Sequence, residues 1–403
     1  MSARKTTVVG VIFGGRSVEH DVSVVTGQQI MRAFPAERYD VVPLYIDRDG
    51  RWFTGEPLKD LKTFQEDVRN VTGVSAVVLS PDVRQHGLIV NPLPTGMFAK
   101  AQSLKLDVVF PAIHGSHGED GTLQGLFELA DLPYAGCGVL ASAIANDKWL
   151  SKQILKQNDV PVVDGLCFTR TQWETNPDAI VEQIKARFAY PVFIKPATLG
   201  SSIGIGRADN DALLRASIEV AANLDRRFLI EPAVLGCVEI NCSVLGDDRN
   251  MRTSVLEQPV SWEEFLTYEE KYLRGGEGMK SADRIIPAPL TPELTEQIQT
   301  VARKAFAAID GRGIARIDFL VRPEQNEVIL NEINTLPGSL AFYLWEATGM
   351  SGAELVEELV RIGRDAYAEK RRNTYDYRTN LIALSASRGL KGTKGAKGSA
   401  NPR

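Results

Sequence analysis

The chain has 403 residues, of which 44% are hydrophobic and 24% are charged, and its net charge is −5 at neutral pH. This length predicts two or three domains with ordinary cores, and the mild acidity argues against nucleic-acid binding by the whole chain. No apolar run is long enough to cross a membrane, and the first residues lead into a strand without a signal-peptide pattern, so we expect a cytoplasmic protein. The cysteines have no metal-binding spacing; Cys237 and Cys242 could in principle pair, but we expect reduced thiols.

The N-terminal part, residues 1–143, is predicted to form an open α/β sheet domain. Thr6–Phe13 is a continuous apolar run rich in β-branched residues, which is typical of a buried parallel strand. An amphipathic helix is expected over about Asp21–Ala33. Further strands are predicted at Tyr39–Tyr45 and Leu106–Phe110, and the polar stretch between these two strands predicts loops with edge strands.

Residues 144–243 are predicted to form a small α+β domain with antiparallel strands. A helix-rich stretch at Ala141–Asn158 leads into it. A further helix is expected over Asp211–Asn223, with Asp209 or Asn210 as its N-cap. The predicted strands are Tyr190–Lys195, Ile203–Arg207, Phe228–Pro232 and Val238–Leu245.

Residues 244–370 are predicted to form a C-terminal α+β domain. Ile314–Val321 and Glu327–Ile333 are strands separated by a PEQN turn, and helices are expected over Thr291–Ile309 and Gly352–Ala368. Residues 371–403 form a basic tail rich in Gly and Lys, which we interpret as a flexible end. Binding of nucleic acid or another anionic surface by this tail is the alternative.

The strongest chemical pattern consists of alternating polar positions on the last two predicted strands. Arg316 and Asp318 share one strand face, and so do Glu332 and Asn334. A hairpin would bring these side chains together, and two carboxylates with an amide oxygen are suited to Mg²⁺. Taken alone, an Arg–Asp ion pair and a turn explain the pattern equally well. The turn that follows, through Gly338, could aim a backbone N–H at a reacting centre.

A second pattern predicts a phosphate site. Lys195 ends a strand, and Gly200-Ser201-Ser202 turns the chain into the next one. Backbone N–H groups and hydroxyls of such a turn can surround phosphates while the lysine neutralises their charge. The Walker motif is absent, and an ordinary hairpin loop would be favoured if this pattern stood alone.

Two glycine-containing polar loops follow predicted strands of the first domain. His114–Gly121 is placed where ligands usually bind in open α/β sheets. His114 and His117 lack a third soft ligand, so we do not expect a metal there. The loop Gly14–Ser23 lacks the dinucleotide fingerprint, which disfavours NAD, and its Glu19 could bind an ammonium group or stabilise a helix start.

Taken together and in this order, the motifs resemble those of the D-alanine–D-alanine ligase family, a member of the ATP-grasp superfamily. The resemblance runs from Val8 to about Ser351. It rests on several motifs in the same order, so the probability of a chance match is very small. These motifs are GGRSVEHDVS, HGSHGEDGTLQG, YAGCGVLASAIANDK, KPATLGSSIGI, TYEEKY, GIARIDF and NEINTLPG. The resemblance implies an ATP-grasp fold made of the three predicted domains.

The resemblance also implies which residues bind the nucleotide. Lys148 and Lys195 would hold ATP phosphates, Glu231 would contact adenine, and Glu239 would bind ribose. The remaining residues implied to contact ATP are Ser201, Ser202 and Lys271. Asp318, Glu332 and Asn334 would hold two Mg²⁺ ions, with Mn²⁺ as a possible substitute.

For the amino acids, the resemblance implies that two D-alanines are joined through an acyl phosphate, for peptidoglycan precursor synthesis. Glu19 would bind the first ammonium group, and Arg316 with the N–H of Gly338 would hold the oxyanion. His114 would also bind substrate. Ser201 and Tyr272 would form a hydrogen-bonded set with Glu19 that helps to position and deprotonate the second amine, and Tyr272 would lie with Lys271 in a closing loop. The resemblance also implies a homodimer.

The sequence departs from the family pattern after Gly338, where a serine usually grips the second carboxylate. Tyr343 occupies that position in ungapped register, and Ser339 is the other nearby hydroxyl. One of them is expected to bind the second substrate. D-serine or D-lactate as the second substrate therefore remains an alternative, as does an ATP-binding protein without turnover, although the intact polar strand positions argue against the latter.

Overall fold

A computed structural model describes residues 6–91, 102–260, 284–375 and 379–388. These residues form three β-sheets with helices packed against them, one sheet in each of the predicted parts. Among the described helices, none combines the length and the apolar character that a bilayer crossing requires.

The N-terminal sheet has seven strands in the order β6-β5-β4-β3-β2-β1-β7. Strand β1 pairs in parallel with β2 and β7, whereas β3 to β6 add antiparallel strands on one side. The predicted strands and edge strands are therefore confirmed. The seven strands are Thr7–Gly14, Tyr39–Ile46, Trp52–Thr54, Ser75–Leu79, Gly87–Val90, Ser103–Lys105 and Val108–Pro111.

Helix α1 (His20–Ala33) packs closely on strand β1. A Cβ added at Gly27 would lie 2.6 Å from Phe13, so only glycine permits this approach of helix to strand. The close packing fixes the helix start, and with it Glu19, at the carboxyl end of β1. Helices α2 (Thr122–Leu129), α3 (Val139–Asn146) and α4 (Lys148–Gln157) follow the sheet.

The central sheet has four antiparallel strands in the order β10-β9-β11-β8. Its core is formed with helices α5 to α7, and Asn210, not Asp209, caps α7 by accepting from the Leu213 N–H at 3.0 Å. The strands β8 to β11 are Leu166–Thr169, Val192–Pro196, Gly206–Ala208 and Arg227–Pro232. Helices α5 to α7 are Arg170–Thr175, Pro177–Arg187 and Asp211–Leu224.

Strand β10 begins later than its predicted start at Ile203, and the expectation was wrong there. Ser201, Ser202 and Gly204 have φ values of 52°, 59° and 73°, so the chain turns at these residues and cannot extend. Both serines of this turn line the same cavity as Lys195, as the phosphate hypothesis requires.

The C-terminal sheet has five strands in the order β14-β13-β12-β15-β16. Strand β12 pairs with β13 and β15, so the predicted boundary at 243 falls inside a strand of this sheet. The five strands of this sheet, β12 to β16, are Val238–Asp247, Asn250–Pro259, Arg284–Ile285, Gly313–Arg322 and Glu327–Asn334. The following helices, α8 to α11, are Pro292–Ala308, Phe342–Ala347, Gly352–Lys370 and Leu381–Arg388.

The two helices predicted in this part are confirmed, and each begins at a side-chain N-cap. Thr291 caps α8 by accepting from the Leu294 N–H, and Ser351 forms a capping box with Glu354 at the start of α10. Helix α8 covers the C-terminal sheet, whereas α10 packs into the core of the N-terminal sheet. Helix α10 therefore connects the C-terminal part of the chain to the N-terminal sheet.

Candidate active site

One cavity is lined by side chains from all three sheets and their loops. The predicted site residues in its wall are Glu19, His114, Lys148, Lys195, Ser201, Ser202, Glu239, Arg316, Asp318, Glu332, Asn334, Gly338 and Tyr343. Glu231 and Ser339 are described by the structure but lie outside this wall. Lys271 and Tyr272 lie outside the described residues.

The hairpin of β15 and β16 brings its four polar residues together as predicted. Asp318 is the direct cross-strand neighbour of Glu332, and Arg316 is that of Asn334. Arg316 donates through Nε and Nη2 to the two carboxylate oxygens of Asp318, each at 2.7 Å. Asn334 Nδ2 donates to Asp318 Oδ2 at 2.9 Å. The arginine therefore neutralises one carboxylate of the pair.

The chemistry of these ligands fits Mg²⁺. Mg²⁺ is usually held by one or two carboxylates together with substrate phosphates and water. Asp318 and Glu332 supply two carboxylates on neighbouring strands, and Asn334, whose Nδ2 contacts Asp318, places its side-chain amide beside them. Lys148, which is predicted to bind phosphate, lies at the same place, with its Nζ 3.7 Å from Glu332.

The two lysines predicted to bind phosphate lie next to strand β16. Lys148 donates to the carbonyl of Leu199 at 2.6 Å, which joins the start of α4 to the serine turn. Lys195 Nζ lies 3.3 Å from Asn331 Oδ1. The phosphates of a bound nucleotide would therefore lie over β16, between these cations and the paired carboxylates.

Glu231 takes part in a buried triad. It bonds to Lys152 and lies 2.7 Å from Lys195 Nζ, with its side chain almost fully buried. Burial lowers the pKa of Lys195 to about 8 and lowers that of Lys152 well below its usual value. Lys152 was missed in the sequence, although it is four residues after Lys148 on one helix, and that spacing places both on the same face. The adenine contact of Glu231 stays a prediction.

Glu231→Gln should lower the free energy of unfolding at pH 7 by about 3–5 kcal/mol, because it leaves two buried ammonium groups without their shared carboxylate. Urea-induced unfolding measures this change. The double variant Lys152→Met/Glu231→Gln removes one cation as well and should recover part of the loss. A loss below about 1 kcal/mol for Glu231→Gln would contradict this account of the triad.

Glu19, Ser201 and His114 meet at the opposite side of the cavity. The Ser201 hydroxyl donates to Glu19 Oε1, so the turn of the central sheet and the start of α1 are joined as the family resemblance implied. His114 Nε2 lies 2.8 Å from the Thr26 hydroxyl, and its Nδ1 lies 3.5 Å from Glu119. Burial raises the pKa of Glu119, which His114 opposes. This group forms a polar wall suited to an ammonium ligand.

A left-handed turn follows strand β16. Ser339, Leu340 and Ala341 have φ values of 49°, 48° and 50°, a conformation that costs non-glycine residues roughly 1–2 kcal/mol each. Leu340 and Ala341 are fully buried, and this burial offsets the cost. The turn places Gly338 in the cavity wall and starts α9 so that Tyr343 also reaches the cavity.

A cluster around Tyr343 was not predicted. The Tyr343 hydroxyl donates to Glu257 Oε2 at 2.5 Å, and Asn241 Nδ2 donates to the same oxygen at 3.1 Å. Arg284 Nη1 lies 3.2 Å from Glu257 Oε1, and its guanidinium stacks 4.2 Å from the centre of the Tyr343 ring. All four residues line the cavity.

The strand register explains why this cluster adjoins the paired carboxylates. Glu257 is paired with Asn241, Asn241 with Asp318, and Asp318 with Glu332, so the four side chains form one row across four strands. Two signals in the sequence pointed to this row. Asn241 follows Glu239 by two positions on one strand, and Glu257 is a lone carboxylate in an apolar run.

Sequence comparison finds relatives that span nearly the whole chain. The family described as D-ala D-ala ligase N-terminus matches residues 8–137, and that described as D-ala D-ala ligase C-terminus matches residues 154–361. A D-alanine–D-alanine ligase of Heliobacterium modesticaldum is 40% identical over 371 residues, covering 91% of this chain and 96% of the relative. One from Natranaerobius thermophilus is 38% identical over 375 residues, covering 92% and 98%.

Solved structures show the same fold. The VanG D-Ala:D-Ser ligase from Enterococcus faecalis is similar with a TM-score of 0.76 and 29% identity, covering 89% of this chain and 100% of that one. The D-alanine-D-alanine ligase from Coxiella burnetii is similar with a TM-score of 0.75 and 26% identity, covering 96% and 99%. The predicted α/β fold of the ATP-grasp type is thereby confirmed, and the chain belongs to the D-alanine–D-alanine ligase family.

Proposed function

We propose that the protein joins two molecules of D-alanine to D-alanyl-D-alanine at the expense of ATP, for peptidoglycan precursor synthesis. The observation that supports this most is the register of β15 and β16. It pairs Asp318 with Glu332 and Arg316 with Asn334 in a cavity that also contains Glu19 and two lysines. A site with this arrangement can hold a nucleotide triphosphate, a metal ion and an amino acid together.

The reaction has two steps. A carboxylate oxygen of the first D-alanine attacks the γ-phosphorus of ATP, the bond to the β-phosphate oxygen breaks, and ADP leaves. The amine of the second D-alanine, having lost a proton, then attacks the acyl phosphate. The peptide bond forms and inorganic phosphate leaves. Phosphorylation is needed because an ionised carboxylate does not accept an amine at neutral pH.

The residues of the cavity divide these tasks. Lys148 and Lys195 bind phosphate oxygens, and Glu19, oriented by Ser201, binds the ammonium group of the first substrate. Arg316 and the N–H of Gly338 stabilise the oxyanion that develops during attack of the amine. Asp318, Glu332 and Asn334 would hold two Mg²⁺ ions, which would neutralise the charge of the phosphates. Because one cavity holds all these groups, the bound reactants are already close together and oriented for reaction.

The test is product analysis with purified protein, ATP and Mg²⁺ over a panel of D- and L-amino acids. We expect D-alanyl-D-alanine, ADP and phosphate in equal amounts with D-alanine, and none of these with L-alanine. Phosphate release without a dipeptide, or a preference for L-alanine, would overturn the proposal.

D-serine as the second substrate is the alternative that a specific observation favours. The VanG D-Ala:D-Ser ligase is among the similar solved structures, and Tyr343 stands where the family has a carboxylate-binding serine. Mass spectrometry of a reaction with equal D-alanine and D-serine separates the alternatives. We expect D-alanyl-D-alanine to be the main product. If D-alanyl-D-serine were the main product, D-serine would be the second substrate in place of D-alanine.

The proposal includes a location in the cytoplasm and a homodimer, of which the family resemblance implies the dimer. Light scattering coupled to size exclusion measures the assembly, and we expect twice the mass of the 44.2 kDa chain. A monomer under the conditions of turnover would contradict the dimer without affecting the proposed reaction.

A further inference from the structure

The cavity contains a cation that the roles given above leave without a function. Arg284 lines the cavity at strand β14, the edge of the C-terminal sheet. The phosphate-binding lysines contact β16 at the other edge, through Glu332 and Asn331. Since β13, β12 and β15 lie between them, Arg284 is separated from the phosphate region by the width of the sheet.

The hydroxyl of Tyr343, at the position expected to bind the second substrate, already donates its hydrogen bond within the protein. A tyrosine has one hydroxyl proton, and Tyr343 donates it to Glu257 at 2.5 Å. It therefore has no proton left to donate to a substrate carboxylate, and Glu257 itself is an anion that would repel one. A carboxylate in this part of the cavity needs a different donor.

Arg284 has the donors that such a ligand needs. Among the described residues it forms an ion pair with Glu257, through Nη1 at 3.2 Å. Its Nε is buried and has no hydrogen-bond partner among the described residues. Nε and Nη2 form the edge of the guanidinium that binds a carboxylate through two parallel hydrogen bonds. Glu257 on one edge and the Tyr343 ring on one face hold the group in place.

We infer that Arg284 binds the α-carboxylate of the second amino acid, held in position by Glu257 and Tyr343. The inference rests on the proposed function and names the group that takes over from the missing serine. Tyr343 and Glu257 lie close enough to Arg316 to interact with it electrostatically. An amino acid bound to Arg284 by its carboxylate would therefore extend its amine along β13 and β12 towards the reacting centre at Arg316.

The test compares two acceptors in one reaction, D-alanine and D-alaninamide, which lacks the ionised carboxylate. The ratio of D-alanyl-D-alanine to D-alanyl-D-alaninamide reports the preference of the second site for a carboxylate. We expect Arg284→Met to lower this ratio about ten- to a hundredfold, since a charge-assisted pair of hydrogen bonds is lost. Tyr343→Phe keeps the stacked ring and the arginine, and should lower it less.

Arg252→Met is the matched control. Arg252 lies on the neighbouring strand β13 and pairs with Glu358 at the surface, outside the cavity, so the product ratio should equal that of the parent protein. If Arg284→Met does not fold, Arg284→Lys keeps a charge but loses the planar edge, and it should lower the ratio about tenfold.

An unchanged ratio in a folded Arg284 variant that still makes the dipeptide overturns this inference alone. A parent protein that makes no dipeptide overturns the proposed function, and this inference with it. The two failures are therefore distinct, because the first leaves dipeptide synthesis intact.

Discussion

Glu332→Gln should leave the fold intact and lower ATP turnover with D-alanine by about a hundredfold or more. The substitution keeps the size of the side chain but removes one of the two carboxylates that face each other across β15 and β16. Changing a residue that merely supports a metal ligand often costs 10- to 100-fold in affinity, so losing a ligand's charge should cost at least as much. Phosphate release measured over a range of Mg²⁺ concentrations tests this, and excess Mg²⁺ should restore part of the rate.

Glu327→Gln is the control for this variant. Glu327 lies at the start of the same strand, pairs with Arg322 and is outside the cavity wall. The same substitution there should leave turnover and its Mg²⁺ dependence unchanged. If folded Glu332→Gln protein turned over at the rate of the parent, the metal site would have to be placed elsewhere.

The parts of the site that lie close in sequence could be predicted from it. The hairpin that pairs Asp318 with Glu332 requires only two alternating strands and a short turn, and both are visible in the sequence. The contact of Ser201 with Glu19 joins segments 182 residues apart, and it was anticipated only through the family resemblance.

The parts that were missed depend on the order of strands and on burial. Arg284 reaches the site because β14 pairs with β13, and Glu257 does so because β13 pairs with β12. No local pattern specifies these neighbours. Glu231 was assigned to the nucleotide through the family resemblance, but its buried ion pair depends on Lys152, which lies 79 residues earlier on a helix.

The order of strands in the C-terminal sheet also arranges the chemistry along the cavity. The two lysines proposed to bind phosphate contact β16. The paired carboxylates and Arg316 lie on β15 and β16, and the Glu257–Arg284 pair lies on β13 and β14. Nucleotide, reacting centre and second substrate would thus follow one another across the sheet. The same sheet order predicts that substitutions on different strands affect different steps.

Arg316→Met tests this division and should lower kcat by about 10²–10³-fold, the usual effect of removing one oxyanion donor. In the parent structure Arg316 donates two hydrogen bonds to Asp318. The methionine variant lacks this cation, which competes with a metal ion for the Asp318 carboxylate. The Mg²⁺ concentration that gives half the maximal rate should therefore stay equal or fall. In Glu332→Gln the same concentration should rise, so the two variants separate oxyanion stabilisation from metal binding by opposite shifts.

Two controls complete the comparison. Arg316→Lys keeps the charge without the planar pair of donors, so its kcat should lie between those of Arg316→Met and the parent. Arg322→Met, at the end of the same strand and outside the cavity wall, should leave kcat near the parent value. A rise in the Mg²⁺ requirement of Arg316→Met, parallel to that of Glu332→Gln, would show that the arginine acts by organising the metal site. Since the bidentate contact with Asp318 is made by the protein alone, we expect the opposite shift.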